Sequence, residues 1–130
     1  MKIFSLFFIL LFSIVGFSQN PIEKDSVQKE LLFFSNNSCG KCKVAKKYFD
    51  EHKMPYQNLT IKQNRPLMYE FIHQKTKGRN IGISYPVLVY GDSIYFNMKN
   101  LNAVLSEIEK MMNIDGKILE NNLNKGGEKQ

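Results

Sequence analysis

At 130 residues the chain has one-domain length, and its formal charge of +6 reflects 18 lysines and arginines against 12 acidic residues. Arginine occurs only at Arg65 and Arg79 and the lysines are scattered. The dense basic stripe of nucleic-acid binders is therefore absent, and a solvated lysine surface is expected.

The chain opens with a segment, 1–19, that reads as a secretory signal peptide. Lys2 supplies a positive start, and Ile3 to Val15 is apolar except for Ser5 and Ser13. Gly16-Phe17-Ser18 has the small-x-small form of a cleavage site. The apolar run is shorter than the ~20 residues of a spanning helix. An exported protein, periplasmic or secreted, is expected; left uncleaved, the segment would be a membrane anchor. Residues 20–29 are polar and read as a linker.

Leu31-Leu32-Phe33-Phe34, bounded by Ser35-Asn36-Asn37-Ser38, has the pattern of a buried strand ending in a turn. From Cys39 the period changes. Ala45, Tyr48, Phe49 and His52 fall at helical spacing, so a helix is predicted to about Lys53, where Met54-Pro55 stops it. Tyr56 to Ile61 alternates loosely and reads as a second strand. Asn64-Arg65-Pro66 looks like a helix start, since proline is tolerated in a first turn. Leu67, Met68, Phe71 and Ile72 form its apolar face, and Thr76-Lys77-Gly78 its end.

Tyr85-Pro86-Val87-Leu88-Val89-Tyr90 reads as a strand buried on both faces, with the proline at its start. Gly91-Asp92-Ser93 is a turn leading to a short return strand, Ile94-Tyr95-Phe96. Leu101, Val104, Leu105, Ile108, Met111 and Met112 make a last amphipathic helix. Residues 113–130, rich in Asn, Lys, Gly and Glu, read as a polar tail without fixed structure. The first three strands, interleaved with helices, are expected to pair in parallel, and the hairpin to add an antiparallel edge.

Cys39-Gly40-Lys41-Cys42 carries the chemistry. The two cysteines close too short a loop to act as an effective staple. They lie between a strand and a helix, which is the setting of a redox pair. Unpaired N–H groups and the positive end of the helix dipole would face the first sulfur. Such settings lower a thiol pKa from about 8.5 to ~3.5–7.5, and the thiolate is the form that attacks a disulfide. Cys39, at the exposed end, is the expected nucleophile, and Cys42 the resolving thiol. Gly40 is read as letting the chain turn without a Cβ clash. Lys41, Lys43, Lys46 and Lys47 would add positive charge around the site.

Phe33-Phe34-Ser35, Cys39-Gly40-Lys41-Cys42 and Ser84-Tyr85-Pro86 before an apolar strand together resemble the glutaredoxin branch of the thioredoxin-like superfamily. The likeness covers about residues 30–112. It implies a three-layer α/β/α fold with a four-stranded mixed sheet, in the order β-α-β-α-β-β-α. It also implies a cis Tyr85–Pro86 bond, with the Tyr85 backbone pairing an incoming disulfide in β fashion. Thiol–disulfide oxidoreductase activity without a cofactor is expected from it, on protein disulfides or glutathione mixed disulfides, by a monomer. Gly-Lys stands where the family usually has Pro-Tyr. Asn36 or Asn37 replaces a basic residue before the cysteines, and Arg65 is matched to a family arginine near the second helix. The family's Gly-Gly-x-Asp stretch is replaced by Phe96-Asn97-Met98-Lys99-Asn100, in which Asn97 and Asn100 are the candidate donors to a substrate anion. Lys41, Ser84, Tyr85 and Pro86 complete the expected substrate contacts.

Two other classes compete with this reading. A metal site would need Cys39, Cys42, His52 and His73, but C-x2-C-x9-H-x20-H is not a finger spacing; an iron–sulfur cluster bridged between two glutaredoxin-like chains goes with reduced, cytosolic settings, and the expected export argues against it. No metal site is expected. A non-catalytic binding domain would leave the cysteine pair without a purpose.

Overall fold

Leu31 and Phe33 project to one side of their strand, and Leu32 and Phe34 to the other; both sides are covered. In the computed structural model, which describes residues 29–126, this strand is β1 (Leu31–Ser35). The segment 1–19 read as a signal peptide, the expected linker up to residue 28 and residues 127–130 lie outside the described residues. The elements that follow are α1 (Gly40–Glu51), β2 (Gln57–Thr60), α2 (Ile61–Thr76), β3 (Val87–Tyr90), β4 (Ser93–Tyr95) and α3 (Leu101–Gly126). Among the described residues no helix is long and apolar enough to cross a membrane.

The sheet is four-stranded and mixed, and its spatial order is β2-β1-β3-β4. β1 pairs with β2 in parallel, from Leu32 opposite Gln57 to Ser35 opposite Thr60. β3 corrects the expectation of parallel pairing: it runs antiparallel to β1, with Leu31 opposite Tyr90 and Phe34 opposite Val87. The connection between α2 and β3 explains this. A 16-residue helix is about 24 Å long. The segment 77–86 can span about 33 Å, so it carries the chain back to the end where α2 began. β4 returns antiparallel to β3 through the turn at Gly91. Gly91 has φ 57°, and a Cβ there would sit 3.0 Å from the Lys29 side chain, so this turn favours glycine.

Period-two alternation divides the core between the two faces. Leu31, Phe33, Leu88 and Tyr90 pack with Ala45 and Phe49 of α1 and with Leu105 and Ile108 of α3. Phe34, Val87, Val89 and Ile94 pack with Ile61, Met68 and Ile72 of α2. Two helices thus cover one face and one the other. Phe33 and Phe49 meet edge to face at 5.5 Å, and both are fully buried. Replacing such a phenylalanine with alanine costs about 3–5 kcal/mol, so this contact is a main anchor of α1 on β1.

Several boundaries differ from the sequence pattern: β3 begins at Val87 rather than Tyr85, and β4 spans Ser93–Tyr95 rather than Ile94–Phe96. β2 ends at Thr60 rather than Ile61, because α2 begins at Ile61 and not at Asn64. Asn64, with φ −116° and ψ 18°, is a kink inside α2. Pro66 lacks an N–H and its ring crowds the carbonyl of Lys62, so the helix bends just before it. α3 passes Met112 and continues to Gly126, replacing the expected tail over 113–126. Its polar composition contains no proline, and Asp115 gives it a tether. The Tyr90 hydroxyl donates to Asp115 Oδ2 at 2.8 Å, and Lys29 Nζ lies 3.2 Å from the same oxygen.

Candidate functional site

A tight turn delivers the first cysteine from the end of β1. The Cys39 N–H donates to the Asn36 carbonyl at 3.0 Å, and Asn36 Oδ1 accepts from the Ser38 N–H at 3.4 Å. Cys39 is extended, with φ −88° and ψ 112°, and is the N-cap of α1. Its sulfur occupies the place usually taken by a Ser or Asp oxygen, accepting the Cys42 N–H at 3.1 Å. The Cys39 carbonyl accepts from Lys43 N at 3.2 Å and opens the helical ladder.

The two sulfurs are joined as a disulfide, with Cα atoms 5.2 Å apart. Cys39 is half-buried. Cys42 is only 4 % exposed and belongs to the core beside Ala45 and Phe49. The sulfur reachable from solvent is therefore that of Cys39. Gly40 corrects the steric reading made of it: a Cβ there would meet no heavy atom within 4 Å.

The first turn of α1 contains no acidic residue. Its positive end is thus unopposed by side-chain charge, and Lys41 and Lys43 add to it. Lys46 and Lys47 belong to a solvated helix face instead. Lys46 pairs with Asp50 at 2.8 Å and Lys47 with Glu51 at 3.6 Å. The Asp50 hydrogen bond raises the Lys46 pKa, and the same contact lowers that of Asp50.

No family model, curated protein or solved structure matches the chain.

The start of β3 forms the facing part of the site. Because Phe34 lies opposite Val87, the residues just before Val87 stand at the same sheet end as Ser35 and the cysteine turn. Tyr85 and Cys39 pack against the same buried cluster. Pro86 is buried, and the Tyr85–Pro86 bond is cis. Ser84 is exposed and Tyr85 half-buried.

In the segment 97–100 the Asn97 amide bonds back to the chain instead of standing as a free donor. Asn97 Oδ1 accepts from the Ser84 N–H at 2.6 Å and from Ser84 Oγ at 2.9 Å. Asn97 Nδ2 donates to the Gly82 carbonyl at 2.8 Å. Asn100 Oδ1 accepts the Ala103 N–H at 3.1 Å, as an N-cap of α3. The Asn97 amide is thus taken up within the chain at both its oxygen and its nitrogen, whereas Asn100 is engaged through its oxygen alone. Lys41 reaches this segment too, donating from Nζ to the Met98 carbonyl at 3.3 Å. The Cys42 N–H is one of the helix-start N–H groups expected to face the first sulfur, whereas the Met98 carbonyl is a site group that sequence reasoning does not find. Backbone atoms leave no residue-type signal.

The histidines serve other contacts. His52 Nδ1 lies 2.9 Å from Glu109 Oε1, and its ring stacks on Tyr48 with centroids 3.9 Å apart. Tyr48 donates to Glu109 Oε2 at 2.7 Å, and these two contacts hold the Glu109 carboxyl below its usual range, Tyr48 contributing most. His73 is on α2, across the sheet from α1. Among the described residues no three His, Cys, Asp or Glu side chains converge as a ligand set. Arg65 does approach the cysteine turn: with Lys62, Ser35, Asn36, Asn37 and Thr60 it lines a hollow of about 250 Å³.

Proposed function

We propose that this chain is an exported thiol–disulfide oxidoreductase of the glutaredoxin-like, thioredoxin-type class, working through Cys39 and Cys42. The observation that carries the reading is the cysteine cap of α1. A half-exposed sulfur accepts a backbone N–H in a helical turn without acidic residues, with a buried second sulfur bonded to it. The mixed sheet with helices on both faces, and Pro86 leading β3, support the fold assignment. The apolar run Ile3–Val15 supports export.

In the reducing direction, the Cys39 thiolate attacks one sulfur of a substrate disulfide. A Cys39–substrate mixed disulfide forms, and the other substrate sulfur leaves as thiolate and takes a proton. The Cys42 thiolate then attacks Cys39, regenerating the intramolecular disulfide and releasing the second substrate thiol. Two electrons have passed to the substrate, and a thiol donor must return them to the protein. In the oxidising direction every step reverses, beginning with attack of a substrate thiolate on Cys39.

Substrates are protein disulfides or glutathione mixed disulfides, with the Tyr85 backbone as the pairing edge. The hollow holding Lys62 and Arg65 would accept a substrate carboxylate. The test is mixed-disulfide trapping on exported extract. Cys42→Ser should accumulate covalent adducts that dithiothreitol releases, and Cys39→Ser should accumulate none. Adducts on Cys39→Ser alone would reverse the roles, and adducts on neither would sink the proposal.

A further inference from the structure

Ser84 and Tyr85 precede the β3 ladder, which begins only at Val87. β4 offers them no partner either, since its pairing with β3 runs from Leu88 opposite Tyr95 to Tyr90 opposite Ser93. A side chain supplies what the strand does not. Asn97 takes the Ser84 N–H and hydroxyl on one oxygen and gives an N–H to the Gly82 carbonyl. This closes three hydrogen bonds between one residue and the segment 82–84. One residue further, Lys41 from between the cysteines bonds the Met98 carbonyl. The turn 97–98 therefore touches both halves of the site.

We infer that Asn97 is a positioning residue for the exchange reaction: its amide holds the segment 82–84 so that the Tyr85 backbone stands ready as an edge for an extended disulfide-bearing peptide. The inference rests on the proposed exchange activity. It also names the substrate class, since only a peptide has main-chain groups to lay along that edge. A small disulfide without a peptide backbone would reach Cys39 without using it. The backbone of Asn97 fits the task, because φ 52° lies in the left-handed region, where asparagine is among the best-tolerated side chains.

That backbone value dictates the test. Asn97→Gly keeps the left-handed turn and deletes only the clamp, whereas alanine would add strain of its own. Steady-state exchange is measured with a peptide disulfide and with bis(2-hydroxyethyl) disulfide, alongside the redox equilibrium of the cysteine pair. Asn97→Gly is expected to raise KM for the peptide by about tenfold, since it removes all three bonds and water replaces part of what they supply. The kcat, the small-disulfide rate and the equilibrium should stay within about twofold. Asn97→Asp keeps the acceptor for Ser84 but turns a carboxylate oxygen toward the Gly82 carbonyl, and should restore only part of the peptide KM. Ser84→Ala removes one of the bonds without touching residue 97, and should give a smaller rise of the same kind. Equal losses on both disulfides, or a shifted redox equilibrium, would overturn the positioning role alone. Absence of exchange by the unaltered protein would overturn the proposed function, and this role with it.

Discussion

Cys42 donates its backbone N–H to the sulfur of Cys39 across 3.1 Å. The buried cysteine thus supports negative charge on the half-exposed one before its own sulfur takes part. In the reduced protein, Cys39 is expected to titrate below the ordinary thiol value of about 8.5. The pH dependence of its alkylation by iodoacetamide reports this directly, with Cys42 unmodified in the folded chain. An alkylation midpoint at or above that of a free thiol would remove the basis of the chemistry.

Lys41 lies between the two cysteines and brings a cation to the first turn of α1. Replacing it with methionine removes a cation from the first turn and the bond to the Met98 carbonyl. The thiolate of the reduced pair is then less stabilised, so the dithiol becomes a better electron donor. The reduction potential of Lys41→Met should fall by on the order of 10–20 mV, measured against a glutathione buffer. A rise would mean that Lys41 serves another purpose.

Asn100 has a capping role that can be tested apart from recognition. Its Oδ1 accepts the Ala103 N–H at 3.1 Å at the start of α3. Asn100→Ala should cost about 1 kcal/mol in urea unfolding, and Asn100→Asp much less. Exchange kinetics of both should match the parent. A KM increase in the alanine variant, with stability unchanged, would return Asn100 to the substrate site.

The tether of α3 should weaken at both ends of the pH scale. The hydrogen bond from Tyr90, and then Lys29, hold the Asp115 carboxyl below its usual range. Its stabilising contribution is complete above the unfolded carboxyl value, near 3.9, and is lost as pH falls through the lower folded value. Burial first, and then Asp115, push the Tyr90 phenol up to about 12. That contribution is complete below the unfolded phenol value, near 10, and is lost as pH rises toward the folded one. Amide hydrogen exchange in 113–122 should therefore accelerate, beyond the intrinsic pH trend, in both ranges. Asp115→Asn should abolish the acid limb.

The apolar runs at Leu31–Phe34 and Val87–Tyr90 announced strands buried on both faces, because only such strands lack alternation. Strand direction was not legible. It depends on whether the chain returns along α2 before β3 starts, and the 77–86 segment carries no hydrophobic period to say so. The start of α2 was misplaced because Pro66 marks a kink as readily as a beginning. The cysteine spacing, by contrast, marks the candidate site directly. The helix-start context set the order of the two sulfurs, and Cys42 is indeed the buried one. The intrachain partners of Asn97 are not legible in the sequence, because an asparagine does not reveal which groups the fold brings to it.

The burial of Cys42 within the core links chemistry to folding. Around the cycle joining folded and unfolded, oxidised and reduced chains, the free energies must close. If the folded chain gains more stability as the disulfide than as the dithiol, the pair becomes more reducing than the same cysteines in an unfolded chain. The exchange rate between the two scales is about 30 mV for each 1.4 kcal/mol. Unfolding curves of the two forms, taken side by side, thus report on which way electrons tend to run.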